Sequence, residues 1–276
     1  MPLITASKAL ERFGDGKVAF VDTRSTDAFR KETIAGAVCL NVYDYFIPES
    51  TEESIKGMVA GAREAFAKLG IDRAGTVIFF EERTGMVSPR GLWFHELCGY
   101  EGGLILDGGW QAWLSTGGPT APGQREPATI TQGDPSRSGD FRRDLVASTQ
   151  DVLDRAGGAH ILDARRPAEW EGGYVHACCA RAGRIMDADL LFFEDLLDDG
   201  RYRSPQEMRE IAVRAGFSTS EPVIAYCHRG ARAATVMYGL KAAGFDKVSV
   251  YTGSWHEWAA DRALPAVEGT GEYVHR

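Results

Sequence analysis

Short apolar runs alternate along this chain with stretches in which apolar residues recur every three or four positions. Val18-Ala19-Phe20-Val21, Val77-Ile78-Phe79-Phe80, His160-Ile161-Leu162-Asp163, Val223-Ile224-Ala225-Tyr226 and Val248-Ser249-Val250-Tyr251 have the length and composition of strands. Ala233, Val236, Met237 and Leu240 fall on one face of a helix, which Gly244 is placed to end in a left-handed cap. Ser204-Pro205-Gln206-Glu207 is a capping box with proline at the first helical position. Strands and helices in alternation imply an α/β fold, a mostly parallel sheet covered by helices on both faces. Ligands of such sheets bind just beyond the carboxyl ends of the strands.

The pattern occurs twice. Asp22-Thr23-Arg24 is answered by Asp163-Ala164-Arg165, and Phe29 and Trp170 follow at the same distance. Leu106-Asp107-Gly108-Gly109-Trp110-Gln111-Ala112-Trp113 is answered by Tyr251-Thr252-Gly253-Ser254-Trp255-His256-Glu257-Trp258. The offset is 141 residues at Asp22/Asp163, 146 at Phe80/Tyr226 and 145 at Trp110/Trp255. A period this long means duplicated domains rather than a solenoid. Pro, Gly and polar residues dominate from Gly117-Gly118-Pro119 to Gly139. The expected organisation is a first domain over 1–118, a surface linker over 119–142 and a second domain over 143–276.

Composition narrows the function. Of 276 residues, 44% are hydrophobic, enough for ordinary cores, and the formal net charge of −8 argues against a nucleic-acid binder. No apolar run reaches membrane-spanning length and no signal peptide is evident. Five cysteines are an odd number in a long chain, which points away from a disulfide framework and toward a reducing compartment, expected to be the cytoplasm. No pair has CxxC spacing and the histidines are scattered, so no metal site is expected. Cys39, Cys98, Cys178 and Cys179 are expected to serve as small core hydrophobes.

Cys227 differs from these four. It ends the Val223–Tyr226 strand pattern, and Cys227-His228-Arg229-Gly230-Ala231-Arg232 leads into a helix pattern. A helix N-terminus and adjacent cations favour the thiolate over the thiol, and the thiolate is the nucleophile. The backbone from His228 to Arg232 can supply a cradle of N–H groups, Arg229 and Arg232 add charge suited to oxyanions, and Gly230 permits positive φ. His228 is expected to offer its backbone N–H, with its ring in solvent.

These residues resemble the tandem-domain rhodaneses, the thiosulfate and 3-mercaptopyruvate sulfurtransferases. The resemblance rests on Asp163-Ala164-Arg165, Glu169-Trp170, Cys227-x-x-Gly230-x-Arg232-Ala233 and Gly253-Ser254-Trp255-x-Glu257-Trp258, and it spans nearly the whole chain. It implies two rhodanese-like domains and a ping-pong cycle in which Cys227 takes a sulfane sulfur as a persulfide. A thiophilic acceptor (cyanide, a small thiol or a protein thiol) then removes it. No metal or organic cofactor, nucleic acid or membrane is implied. Asp163, Arg165 and Trp255 would support the site, Arg165 by bracing Asp163 and the strand end. Phosphatases of the same fold carry a longer Cys-x5-Arg loop, whereas Cys227 and Arg232 are spaced Cys-x4-Arg, a smaller ring suited to sulfur.

Among the family, mercaptopyruvate users tend to carry small uncharged residues after the cysteine and thiosulfate users basic ones. His228 and Arg229 place this chain nearer the thiosulfate group, with 3-mercaptopyruvate as the alternative donor and a non-catalytic binding module as a further one. Two departures stand out: Thr252 replaces a frequent Asp, and Glu169 stands where the animal thiosulfate enzymes carry Arg. In the first copy Glu81 aligns with Cys227, and Ser88-Pro89 reads as a helix cap with proline just inside. That domain is expected to be catalytically silent, its cradle remodelled; in the family such a domain walls the entrance of the active one.

Overall fold

The computed structural model describes residues 2–267. It divides into two compact units. The first holds the chain to Tyr45, Glu53–Arg142 and Leu197–Tyr202; the second holds Phe46–Glu52, Arg143–Leu196 and the chain from Arg203 onward.

Each unit is built on one wholly parallel sheet. In the first, the order is Leu3–Thr5, Gly103–Asp107, Thr76–Phe80, Val18–Asp22, Val38–Asn41 and Ala128–Thr129. In the second, it is Val146–Ala147, Val248–Tyr251, Val223–Tyr226, His160–Asp163 and Asp189–Leu190. The second order repeats the first five strands of the first, as the duplicated sequence requires. Register aligns Asp22 with Phe80 and Asp163 with Tyr226, so the Asp-x-Arg segments and the following loops leave the same sheet edge side by side.

The linker expectation is corrected. Residues 119–142 belong to the first unit: Thr120–Ala121 pairs antiparallel with Thr33–Ile34, and Ala128–Thr129 adds the sixth strand. Two-residue strands are too short to leave a periodic signal. The close fit is visible at Gly61 and Gly57, where a Cβ would meet Thr131 O at 1.6 Å and Gln132 Nε2 at 2.1 Å.

The helix Ala231–Ala242 is also more enclosed than its pattern implies. Every residue from Ala231 to Leu240 is buried, not only the apolar stripe. Gly244 ends it at φ 92°, and Ser204 and Glu207 form the reciprocal capping box with Pro205 in the first turn. No helix among the described residues is long and apolar enough to cross a membrane.

Candidate active site

The Asp-x-Arg segment forms the floor. Arg165 donates from Nε to both Asp163 oxygens at 2.9 and 3.0 Å and from Nη2 to Oδ2 at 2.6 Å, with a further bond to Gly183 O at 2.8 Å. Both side chains are buried. Tyr226 donates its hydroxyl to Asp163 Oδ2 at 2.6 Å and accepts from the Ile185 amide, so Asp163 ties the strand His160–Asp163 to the strand that carries Cys227. The Arg165 guanidinium lies 4.8 Å from the Trp255 ring. Arg165 thus braces the strand end through Nε and Nη2.

Above this floor, the loop is held from outside. The amides of Trp255 and His256 donate to the carbonyls of Cys227 and His228 at 2.9 and 3.1 Å. With its carbonyls bound there, the loop keeps its inner side for N–H groups, and that of Gly230 lies 3.1 Å from Cys227 Sγ. Gly230 has φ 86° and directly precedes the helix opened by Ala231. This left-handed turn aims the chain back over the sulfur, and a Cβ-bearing residue would adopt it under strain. The Cys227 amide donates to Ser254 Oγ, which donates in turn to Tyr251 O at 2.7 Å. Ser254 itself is at φ 54°, an uncommon conformation for a residue other than glycine.

The two arginines of the loop differ. Arg232 gives both terminal nitrogens to Glu169, at 2.5 and 3.0 Å, in a buried pair. Although burial opposes it, the Arg232 pairing and the nearby Arg165 charge hold the Glu169 carboxyl down at about 2. Arg229 instead lies with its guanidinium 3.9 Å from the Phe46 ring centre, and its buried Nε has no partner among the described residues. The uncompensated cation at the loop is thus Arg229.

His228 corrects an expectation. Its ring is half-buried and stacks on His176, centroids 4.0 Å apart and planes nearly parallel, with Nε2 3.3 Å from Cys178 Sγ. Burial, then the charge of His176 and Arg229, pushes it down to about 3, so it is neutral at physiological pH. His256 completes an aromatic cluster with Phe46 and His228, centroids at 5.1 and 5.9 Å. Cys178 is corrected too, since it is exposed; Cys179 is half-buried and packs against the core of the second unit, while Cys39 and Cys98 are core residues with thiols pushed up to about 12 by burial.

The rhodanese-like domain model matches residues 5–116 and again 148–261. The chain belongs to the rhodanese family. Among its relatives is the thiosulfate sulfurtransferase of Corynebacterium glutamicum, 30% identical over 218 residues, covering 75% of this chain and 72% of that protein. The 3-mercaptopyruvate sulfurtransferase of Mus musculus is 28% identical over 78% of this chain and 70% of the mouse protein. The solved rhodanese fold of a 3-mercaptopyruvate sulfotransferase, SseA from Escherichia coli, superposes with a TM-score of 0.71 at 23% identity, over 92% of this chain and 99% of that one.

The first rhodanese unit keeps the framework and has Glu81 where the second has Cys227. Arg24 braces Asp22 and lies 4.6 Å from Trp110, and the amides of Trp110 and Gln111 donate to the carbonyls of Glu81 and Glu82. Glu81 Oε1 then accepts the amides of Gly85, Val87 and Ser88 and the Ser88 hydroxyl, all at 2.9–3.0 Å. The anion cradle of this unit is filled by its own carboxylate. Burial raises the Glu81 carboxyl's pKa, and these four donors pull the other way. Ser88 is consequently not a cap: it is the first helical residue, and Val87 precedes it without a side-chain cap bond.

Four pairings carry no sequence signal: Glu169 with Arg232, although Glu169 itself stands out in the sequence, Phe46 beneath Arg229, and His176 and Cys178 against His228. All join residues distant in sequence.

Proposed function

We propose that this chain transfers a sulfane sulfur from thiosulfate to a thiophilic acceptor through a persulfide on Cys227. The observation that carries the proposal is Cys227 Sγ held 3.1 Å from the Gly230 amide, inside a loop whose carbonyls are bound on the far side. Such an amide stabilises a thiolate, the persulfide that follows and the charge that develops between them. In the first half-reaction the thiolate attacks the outer sulfur of thiosulfate, a sulfur–sulfur bond forms as another breaks, and sulfite leaves with the bonding pair. In the second, cyanide or a thiolate, small or protein-borne, attacks the sulfane sulfur and returns the Cys227 thiolate. Cys227 suffices for this cycle, which calls on no resident metal or organic cofactor. Cradle roles fall to the loop from His228 to Arg232, with Arg229 supplying the charge. Asp163, Arg165 and Trp255 position the loop. On its cysteine usage, we assign the chain to a reducing compartment such as the cytoplasm.

A second reading is 3-mercaptopyruvate as donor. The Glu169–Arg232 pair favours it, because neutralising one arginine lessens the advantage of a dianion over a monoanion. Named relatives include users of either donor.

Incubation of the reduced protein with thiosulfate, followed by intact mass, tests the proposal. One added sulfur atom, discharged by cyanide and absent from Cys227→Ala, is expected. Absence of any adduct with either donor defeats sulfur transfer. An adduct from 3-mercaptopyruvate alone moves the assignment to the second reading, and kcat/KM for the two donors ranks them.

A further inference from the structure

Beside the cysteine loop stands a second group of soft donors. Cys178 Sγ, Cys179 Sγ and a ring nitrogen of His228 all lie within 4.8 Å of one another. Cys178 Sγ and His228 Nε2 are already 3.3 Å apart. In a tetrahedral site with metal–sulfur bonds of about 2.3 Å and metal–nitrogen bonds of about 2.1 Å, neighbouring donors are roughly 3.6–3.8 Å apart. Closing the group needs only small side-chain rotations, and Cys178, on the surface, is free to make them.

The backbone that carries the two thiols is anchored on either side. The Cys179 amide donates to His176 O at 2.9 Å, making a turn that holds both thiols beside the His228 ring. Two residues later, Arg181 Nη2 donates to the carbonyls of Trp258, Asp261 and Leu264 at 3.1, 3.0 and 2.9 Å, and Arg181 O accepts from Trp255 Nε1 at 3.2 Å. The imidazole is fixed by stacking, so its lone pair has one direction. The rotamer freedom left for an ion to remove on binding is chiefly that of the exposed Cys178 side chain.

We propose that Cys178, Cys179 and His228 form a binding site for a thiophilic d10 metal ion such as zinc or cadmium. Two thiolates and an imidazole match the preference of such ions, and three protein ligands leave a fourth position for water or a small anion. Binding converts two thiols to thiolates and releases two protons. Spacing alone hides the site, because the third ligand comes from the residue after the nucleophile, fifty positions along the chain. The proposal is independent of which donor the protein uses.

Cadmium is the probe. Titrated into the reduced full-length Cys227→Ser chain, in which the nucleophile cannot compete, it should produce a thiolate-to-cadmium charge-transfer band that saturates at one ion per chain. Two protons should be released for each ion. The band should vanish in a chain that also carries Cys178→Ser and Cys179→Ser. His228→Ala should weaken binding by about tenfold or more, since one of three ligands is lost. A saturating band that survives both serine substitutions would overturn the proposal. So would a Cys227→Ser chain with an unchanged far-ultraviolet spectrum that binds no cadmium at micromolar concentration.

Discussion

Glu169 takes both terminal nitrogens of Arg232, so an arginine of the cysteine loop is electrically balanced by a residue 63 positions earlier. The balance leaves Arg229 as the loop's free charge and makes the fold dependent on a buried carboxylate. Glu169→Gln keeps the shape and removes the charge. The variant should lose about 3 kcal/mol at neutral pH, the usual cost of leaving one member of a buried pair alone. Because the folded carboxyl is held at about 2, below its ordinary 4.5, the pair stabilises fully above about pH 4.5 and its contribution fades as pH falls toward 2. Urea denaturation should therefore show wild type and variant converging across that interval. A gap independent of pH would mean that Glu169 acts through packing alone.

Arg229 is the residue through which donor charge should be felt. It lies over Phe46 without a carboxylate partner among its described contacts. Thiosulfate carries one more negative charge than 3-mercaptopyruvate. A charge-assisted hydrogen bond is worth about 1.5–3 kcal/mol, so Arg229→Ala should raise the thiosulfate KM by roughly 10–100-fold and the mercaptopyruvate KM by less. Steady-state kinetics with both donors gives the comparison. Equal increases would remove the charge argument for thiosulfate.

What the chain discloses by itself divides along contact distance. The duplication, the central strands of both sheets and the placing of Cys227 follow from local patterns: apolar runs, an Asp-x-Arg end, a glycine before a helix. The helix caps at Ser204 and Gly244 are local as well. The pairing of Glu169 with Arg232 and the meeting of Cys178 with His228 are tertiary, and no periodicity encodes them. Residues 119–142 read as a linker because proline and glycine are as useful for a close-fitting strap as for a free one. Glu81 is legible only in part: the alignment places a carboxylate opposite Cys227, but not its acceptance of the amides of Gly85, Val87 and Ser88, which rests on the local turn of the loop.

Glu81→Ala separates structure from catalysis in the first unit. Removing the carboxylate leaves three amides and a hydroxyl without their acceptor. Unsatisfied donors that water reaches only in part cost about 1–3 kcal/mol each, and partial solvation should hold the total to roughly 2–4 kcal/mol. Sulfur-transfer kcat/KM measured well below the melting temperature should stay within about twofold of wild type, since Cys227 lies in the other unit. A collapse of turnover in a folded variant would assign the first unit a part in the reaction.

Ser254 is held in the left-handed region at φ 54°, where the first unit uses Gly109 at φ 57°. A side chain is kept at this cost because its hydroxyl receives the Cys227 amide and donates to Tyr251 O, which sets the height of the cysteine in its loop. Ser254→Ala keeps the backbone strain and loses both bonds. Ser254→Gly loses the bonds but relieves the strain, worth about 1–2 kcal/mol for a residue of this handedness. The glycine variant should therefore be the more stable of the two by about 1 kcal/mol, allowing for the extra entropy of its unfolded chain. Both should load sulfur more slowly than wild type, because the Cys227 amide is left without its acceptor and the sulfur is no longer fixed relative to the Gly230 amide. Thermal unfolding checks the stability order, and the rate of persulfide formation checks the chemistry. If glycine restored the wild-type loading rate, backbone shape alone would position Cys227, and the hydroxyl would have no part in it.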